Sequence, residues 1–359
     1  MFAVPPDASY LAYFDVRTLA CLFCLLAIVQ AFRGIGVFNV LARAIVRRFT
    51  TLRGVVCALV VLTLVASPFI TNDMALVMFL PLTTLVLLSS RNGRMLPFTF
   101  TMQALAANLG GMLLPFGNPQ NIFLSSAFQI PVVDFITTMA PSWGLSVLLI
   151  VACCVIVVRP VPVDMPRAEA GESMHASPAR IVCYTVLFAV VLGMVFRAIA
   201  PLVGTAVVAI ALLTVDRGTF RRVDYGLLLT FAFFFVFSGN MARVPAVQEL
   251  LTGLMDGHAL LVSALASQVI SNVPAAILLA PFAGAYQGLL VGVNIGGAGT
   301  LVASLASLIA FNQFRSVKRE FGHVEDVAGL ASGRYIGVFS AFNFAFLAVL
   351  MVLTAFCSA

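Results

Sequence analysis

The chain has 359 residues, of which 62% are hydrophobic and only 9% charged, and its mean hydropathy is +1.09. Ordinary globular domains are about a quarter charged, so a soluble fold is excluded and a polytopic membrane protein, with lipid as its solvent, remains. The net charge of +6 does not signal a nucleic-acid partner, because the 19 arginines and single lysine punctuate apolar runs and build no basic face.

The opening residues, MFAVPPDASY, lack a basic stretch ahead of an apolar one, so no cleaved signal peptide is expected. A hydrocarbon core of about 30 Å needs about 20 helical residues, and the run over 16–32 is the first to approach that length. Residues 34–50 place apolar side chains at helical spacing with arginines opposite, a helix lying along the interface. The segment 52–90 folds back on itself around a polar break, 97–129 is long enough to hold a break of its own, and 138–158 is a further span. Proline and charge then dominate 159–180, the linker between two halves, 1–158 and 181–359. Spans follow at 181–199, 200–215 (short), 225–241, 289–314 and 335–356, and 258–288 again folds back around a polar break. The expected fold class is therefore all-α and polytopic, with about eight spans and two re-entrant hairpins.

The basic residues orient this array. With the amino terminus outside, seventeen of the twenty fall on the cytoplasmic side, and only Arg17, Arg197 and Arg243 remain outside. Both termini are then extracytoplasmic, 52–90 opens to the cytoplasm and 258–288 opens outward.

The two halves resemble one another. Residues 67–81 read SPFITNDMALVMFLP and residues 267–281 read SQVISNVPAAILLAP, so that Ser67, Ile70, Asn72, Ala75 and Pro81 recur 200 positions later. A second pair follows, NLGGMLLPFGNPQNIF at 108–123 and NIGGAGTLVASLASLI at 294–309, matching Asn108 with Asn294 and Gly110–Gly111 with Gly296–Gly297. One such motif reads most simply as small residues packing helices. Four in two matched pairs, in elements that open to opposite sides, form the inverted repeat of a secondary transporter. Broken helices at the midplane expose carbonyls and helix N-termini, which hold cations and anions respectively.

Asn72 and Asn272 stand at the two hairpin tips, each beside a hydroxyl, Thr71 or Ser271. Asn118, Pro119 and Asn121 break the first long helix, and Gly299, Thr300, Ser304 and Ser307 break the second more gently. Oxygen-rich sites of this kind suit Na⁺. Asp73 is the one carboxylate in the middle of an apolar segment, either a proton carrier or cation ligand or an N-cap for the second hairpin helix; its counterpart is Val273. The seven cysteines lie in or at the ends of apolar runs and behave as small hydrophobes, Cys21 and Cys24 included. His175, His258 and His323 fall in loops, and no Ser–His dyad, intramembrane Asp pair or His-Glu-x-x-His cluster exists, so no enzyme is expected.

The four stretches SPFITNDMALVMFLP, GGMLLPFGNPQN, SQVISNVPAAILLAP and NIGGAGTLVASLASL resemble the ion transporter superfamily. Its members include divalent-anion:sodium symporters, citrate transporters, arsenite efflux permeases and a class of sodium/proton antiporter. The resemblance spans about residues 18–356. It implies a homodimer in which hairpins and broken helices move against a scaffold, a cation site at each tip, and an anion between them. Position by position it implies a first site from Thr71, Asn72 and Asp73 with Gly117, Asn118 and Asn121. The second would come from Ser271, Asn272 and Val273 with Thr300, Ala303 and Ser304. The tips read Thr-Asn-Asp and Ser-Asn-Val where the dicarboxylate branch has Ser-Asn-Thr, and the first is closer to the arsenite-permease branch. Only one span precedes the first hairpin, against three between the linker and the second.

The function expected is secondary active transport of a small anion (a di- or tricarboxylate or an inorganic oxyanion) across the cell membrane, coupled to Na⁺ or H⁺, with no other cofactor. The alternatives are metalloid-oxyanion or arsenite efflux, cation/proton exchange at Asp73, and a non-transporting membrane subunit or degenerate paralogue.

Overall fold

The computed structural model describes residues 7–36, 44, 48–163 and 177–358. Most of the expected interfacial helix over 34–50 (37–43 and 45–47) and the middle of the linker, 164–176, lie outside the described residues. Among the described residues the chain is all helical, with one isolated bridge, Thr51 to Pro162, and no strand.

In chain order the helices are α1 (Val16–Gly34), α2 (Leu52–Ile70), α3 (Asn72–Ser89), α4 (Leu96–Gly110), α5 (Pro119–Ala127) and α6 (Val132–Val157). After the linker come α7 (Pro178–Val195), α8 (Pro201–Val215), α9 (Tyr225–Ala242), α10 (Pro245–Met255), α11 (Ala259–Ile270) and α12 (Asn272–Leu279). The chain ends with α13 (Tyr286–Ile295), α14 (Leu305–Phe321) and α15 (Ser332–Ser358). Seven of these are long and apolar enough to cross a membrane, or eight if α10 and α11, bent by 119° at their junction, count as one.

Every residue of α4 is buried, and α13 is buried from Leu289 to Ile295. A helix that is apolar all round belongs in the middle of a bundle, and α4 is indeed surrounded by α2, α3, α6, α14 and α15. α13 lies against α5, α6, α11, α12 and α15. The outer helices bury only a stripe. On α7 it is Tyr184, Leu187, Val191 and Met194, one residue per turn, turned toward α1 and α8, with apolar residues left facing outward.

Two helix pairs are joined by a single residue each. α2 ends and α3 begins at Thr71 (φ 66°, ψ 153°), and α11 ends and α12 begins at Ser271 (φ 74°, ψ 154°). Both long helices are interrupted where expected. Residues 111–118 separate α4 from α5, and 296–304 separate α13 from α14. The second interruption is as long as the first rather than gentler, and Asn121 and Ser307 sit inside the helices that resume, not in the breaks. The hairpin arms also differ: 19 and 18 residues around Thr71, but 12 and 8 around Ser271. Each arm of the first pair is long enough to cross a membrane alone, yet Thr71 and Asn72 are buried beside the end of α4.

The three arginines grouped together by sequence collect at one end of the bundle. Arg17 donates to the Met194 carbonyl at 2.8 Å, Arg197 to the Ser126 carbonyl at 3.0 Å, and Arg243 forks onto Asp7 at 2.6 and 3.0 Å. At the other end the start of the linker runs beside the start of α2, with Leu52 N–H donating to the Val161 carbonyl at 2.8 Å and Arg53 to the Val158 carbonyl at 2.8 Å.

Candidate functional site

The tips use one local device twice. Asn72 turns its side-chain oxygen onto the N–H of Asp73 at 2.9 Å, and Asn272 turns its own onto the N–H of Val273 at 2.9 Å. Each asparagine thereby closes the first turn of its helix and satisfies one of the free N–H groups that a helix start leaves. Asp73 does not cap. It occupies the first turn of α3, where the helix dipole favours a carboxylate. The breaks end similarly: Asn118 and Ser304 have extended backbones immediately before α5 and α14. Ser304 caps α14 by accepting from Ala306 N–H at 3.2 Å, while Pro119 takes the first position of α5, where a missing N–H costs nothing.

Both tips open onto one cavity of about 440 Å³. Of the residues expected to form the site, Asn72, Asp73, Ser271, Asn272, Val273 and Ser304 line it. Thr71, Gly117, Asn118, Asn121, Thr300 and Ala303 do not, and form the structure behind it. The Ala303 carbonyl accepts from Asn272 N–H at 2.9 Å and from the Ser271 hydroxyl at 3.4 Å. Thr300 donates its hydroxyl to the Gln268 carbonyl at 2.9 Å. Asn121 binds the carbonyls of Gly111, Met112 and Leu114, and Gly117 closes the turn by donating to the Leu114 carbonyl at 3.1 Å. Asn118 donates to the Asn108 carbonyl at 3.2 Å and to the Asn294 side chain at 3.3 Å, but its own oxygen, buried in a residue 1% exposed, has no partner. A buried amide oxygen left open in this way suits a hard cation.

The electrostatics of the cavity are one-sided. Asp73 lines it with one carboxylate oxygen buried and without a hydrogen-bond partner. Asp224, which caps α9 by accepting from Leu227 N–H at 3.0 Å, lines the same cavity. Among the described residues, no arginine, lysine or histidine lines it.

Several residues of the site were not singled out by sequence. Asn108 and Asn294, visible beforehand only as a matched pair in the repeat, each reach from one half into the other. The Asn108 oxygen accepts from Asn72 at 3.1 Å and from Ser304 at 2.7 Å. Asn294 donates to Asn121 at 2.7 Å and accepts from Gln120 at 3.2 Å. Gln268 pins the second break, donating to the Gly296 and Ala298 carbonyls at 2.8 and 3.1 Å and accepting from Thr300 N–H at 2.9 Å.

Comparison with known proteins gives a family model, described as "Citrate transporter", that matches residues 1–288. The inner membrane protein YbiR of Escherichia coli is 33% identical over 320 residues, covering 86% of this chain and 83% of that protein. The uncharacterized transporter MJ0456 of Methanocaldococcus jannaschii is 30% identical over 301 residues, 82% and 79% of the two chains. The silicon efflux transporter LSI3 of Oryza sativa subsp. japonica is 28% identical over 153 residues, 42% of this chain and 31% of that one.

Proposed function

The chain belongs to the citrate transporter family, and on that footing we propose that it is a secondary active transporter that exchanges a small, hydroxyl-rich solute for a proton carried by Asp73. The two halves act as inverted repeats with both termini extracytoplasmic, and two copies form a dimer, as the wider superfamily does. The hairpins and broken helices form the moving part. The cavity between the tips faces one side of the membrane and then the other.

The observation that carries this reading is the presence of Asp73 and Asp224 around a cavity with no cationic side chain. At an effective dielectric of about 20, two unit charges 4 Å apart interact by about 4 kcal/mol. A tricarboxylate entering such a cavity meets two carboxylates with no cationic side chain among the described lining residues to pair with it. An oxyacid uncharged at neutral pH, such as orthosilicic or arsenous acid, brings hydrogen-bond donors to the same oxygens. The silicon efflux transporter among the relatives supports that substrate class. A proton on Asp73 would leave the buried carboxylate neutral during part of the cycle, as intramembrane acids in proton-coupled carriers require.

The second reading is anion symport with Na⁺. The description of the family supports it, as does the unpartnered Asn118 oxygen behind the first tip. Proteoliposomes separate the two. Arsenous and orthosilicic acid fluxes driven by a pH gradient and lost in Asp73→Asn support proton exchange. Citrate uptake driven by a Na⁺ gradient and retained in Asp73→Asn overturns it in favour of symport.

A further inference from the structure

Asn108 lies outside the cavity, yet two residues that line the cavity, one from each half of the chain, donate to its side-chain oxygen: Asn72 at 3.1 Å and Ser304 at 2.7 Å. Its amide hydrogen goes to the Gly297 carbonyl at 3.3 Å. Gly297 lies near the second tip, since a Cβ there would stand 2.9 Å from the Asn272 side-chain nitrogen and 3.7 Å from Cγ of Asn108. Asn108 is 2% exposed, so these bonds do not compete with bulk water. We propose that Asn108 is a positioning residue that couples the first tip to the second break and sets the hydrogen-bond polarity of the cavity, an inference that rests on the transport reading above.

The polarity follows from counting donors and acceptors. Ser304 has one hydrogen, which it gives to Asn108, and one of its lone pairs takes Ala306 N–H. It therefore meets a solute as an acceptor only. Asn72 gives one amide hydrogen to Asn108 and one lone pair to Asp73 N–H, which leaves it one of each. With Asp73 and Asp224 added, the cavity is rich in acceptors and favours a solute that arrives with O–H groups. The coupling follows from sharing. A solute that draws Asn72 away from Asn108 leaves Ser304 as the remaining donor to that oxygen, so an event at the first tip alters the second break. Asn294, the counterpart, bonds Asn118, Gln120 and Asn121, none of which lines the cavity.

The test has two arms. In thermal melts of the purified full-length chain without solute, the shifts from Asn72→Ala and Ser304→Ala fail to sum in the otherwise wild-type protein. They sum in an Asn108→Ala background, again fail to sum with Asn108→Asp, which keeps an accepting oxygen, and still fail to sum with Asn294→Ala. Additive shifts in the wild-type background overturn the proposal, whether or not any solute is carried. In proteoliposomes, Asn108→Ala raises KM for arsenous acid by about three- to tenfold, the size of one net hydrogen bond, with a smaller change in kcat. A fall in kcat at unchanged KM refutes the role in setting polarity. If the wild-type protein carries neither arsenous acid nor citrate, the transport reading is what has failed, and the melts alone decide the bridge.

Discussion

The two tip residues are strained points of the described backbone, and that strain is measurable. Thr71 and Ser271 combine φ near +70° with ψ near +153°, a region that is essentially reserved for glycine and costs a side-chain-bearing residue about 1–3 kcal/mol. Thr71 is 4% exposed and its carbonyl starts α3 by accepting from Ala75 N–H at 3.0 Å, so the surrounding helices hold the strain in place. Replacing Thr71 by Ala and by Gly deletes nearly the same atoms, but only Gly releases the strain. The greater freedom of Gly in the unfolded chain takes back about 0.4–1 kcal/mol. The Gly variant should therefore be more stable than the Ala variant by roughly 0.5–2 kcal/mol. Ordinarily Gly is the worse of the two inside a helix, by about 1 kcal/mol. The assay is thermal unfolding of both variants in one detergent, repeated at Ser271. Transport should fall in both Gly variants, because a relaxed tip no longer fixes the following helix N-terminus. An Ala variant as stable as its Gly partner would refute the argument.

Three further outcomes follow from the same geometry. Gln268→Leu removes the partners of the Gly296 and Ala298 carbonyls and of Thr300 N–H; at about 1–3 kcal/mol for a buried group left unpaired, the loss should appear as a lower melting temperature and faster amide exchange over 296–304. Gly110→Ala places a Cβ 2.5 Å from the Leu64 carbonyl oxygen and 3.0 Å from its Cα, backbone atoms that cannot step aside, and should destabilise by about 1–3 kcal/mol in the same melts. Ser238→Ala removes the buried bond from α9 to the Ile277 carbonyl, 2.8 Å long, and should cost about 0.5–1.5 kcal/mol.

What could be read in the sequence was local. Tips at Asn72 and Asn272, and breaks around Asn118–Asn121 and Gly299–Ser307, follow from self-similarity and from Pro, Gly and Asn in otherwise apolar helices; the helices join one residue earlier, at Thr71 and Ser271, and the breaks begin earlier, at 111–118 and 296–304. The span limits differ from the helices by a few residues because apolar length and helix length are set by the same lipid thickness. Depth was not legible: the arms around Thr71 run 19 and 18 residues and those around Ser271 12 and 8, and composition alone does not place a tip within the bundle. The second break looked gentle because Gly299 and Thr300 lack a proline. Gly299 takes φ 124°, however, and Gln268, one turn before the tip, holds the opened chain. Asp224 did not stand out in the sequence, since its place on the cavity depends on how α9 packs against α12. The reach of Asn108 and Asn294 into the opposite half is wholly tertiary.

The repeat conserves geometry while its chemistry diverges, and the divergence gives the cavity a direction. At both tips the first helical residue is an asparagine whose side-chain oxygen accepts from the next N–H at 2.9 Å, and a helix N-terminus carries roughly half a positive charge. At α3 that charge faces Asp73 in the first turn, so on the proposed reading the end is neutralised and is the place for a proton or cation. At α12 the corresponding residue is Val273 and no acid occupies the first turn, so on the same reading the end would receive an oxygen of the solute. A hydroxylated acid would lie with its hydrogens toward Asp73 and an oxygen toward Asn272. Val273→Asp tests that orientation. A second carboxylate should neutralise the α12 end, an interaction of about 0.3–1 kcal/mol or up to ~2 in a partly buried setting. KM for arsenous acid should then rise several-fold, while Asp73 still sets the dependence of flux on pH. If Val273→Asp leaves KM unchanged and abolishes the pH dependence instead, the assignment of cation to the first tip and solute oxygen to the second is wrong.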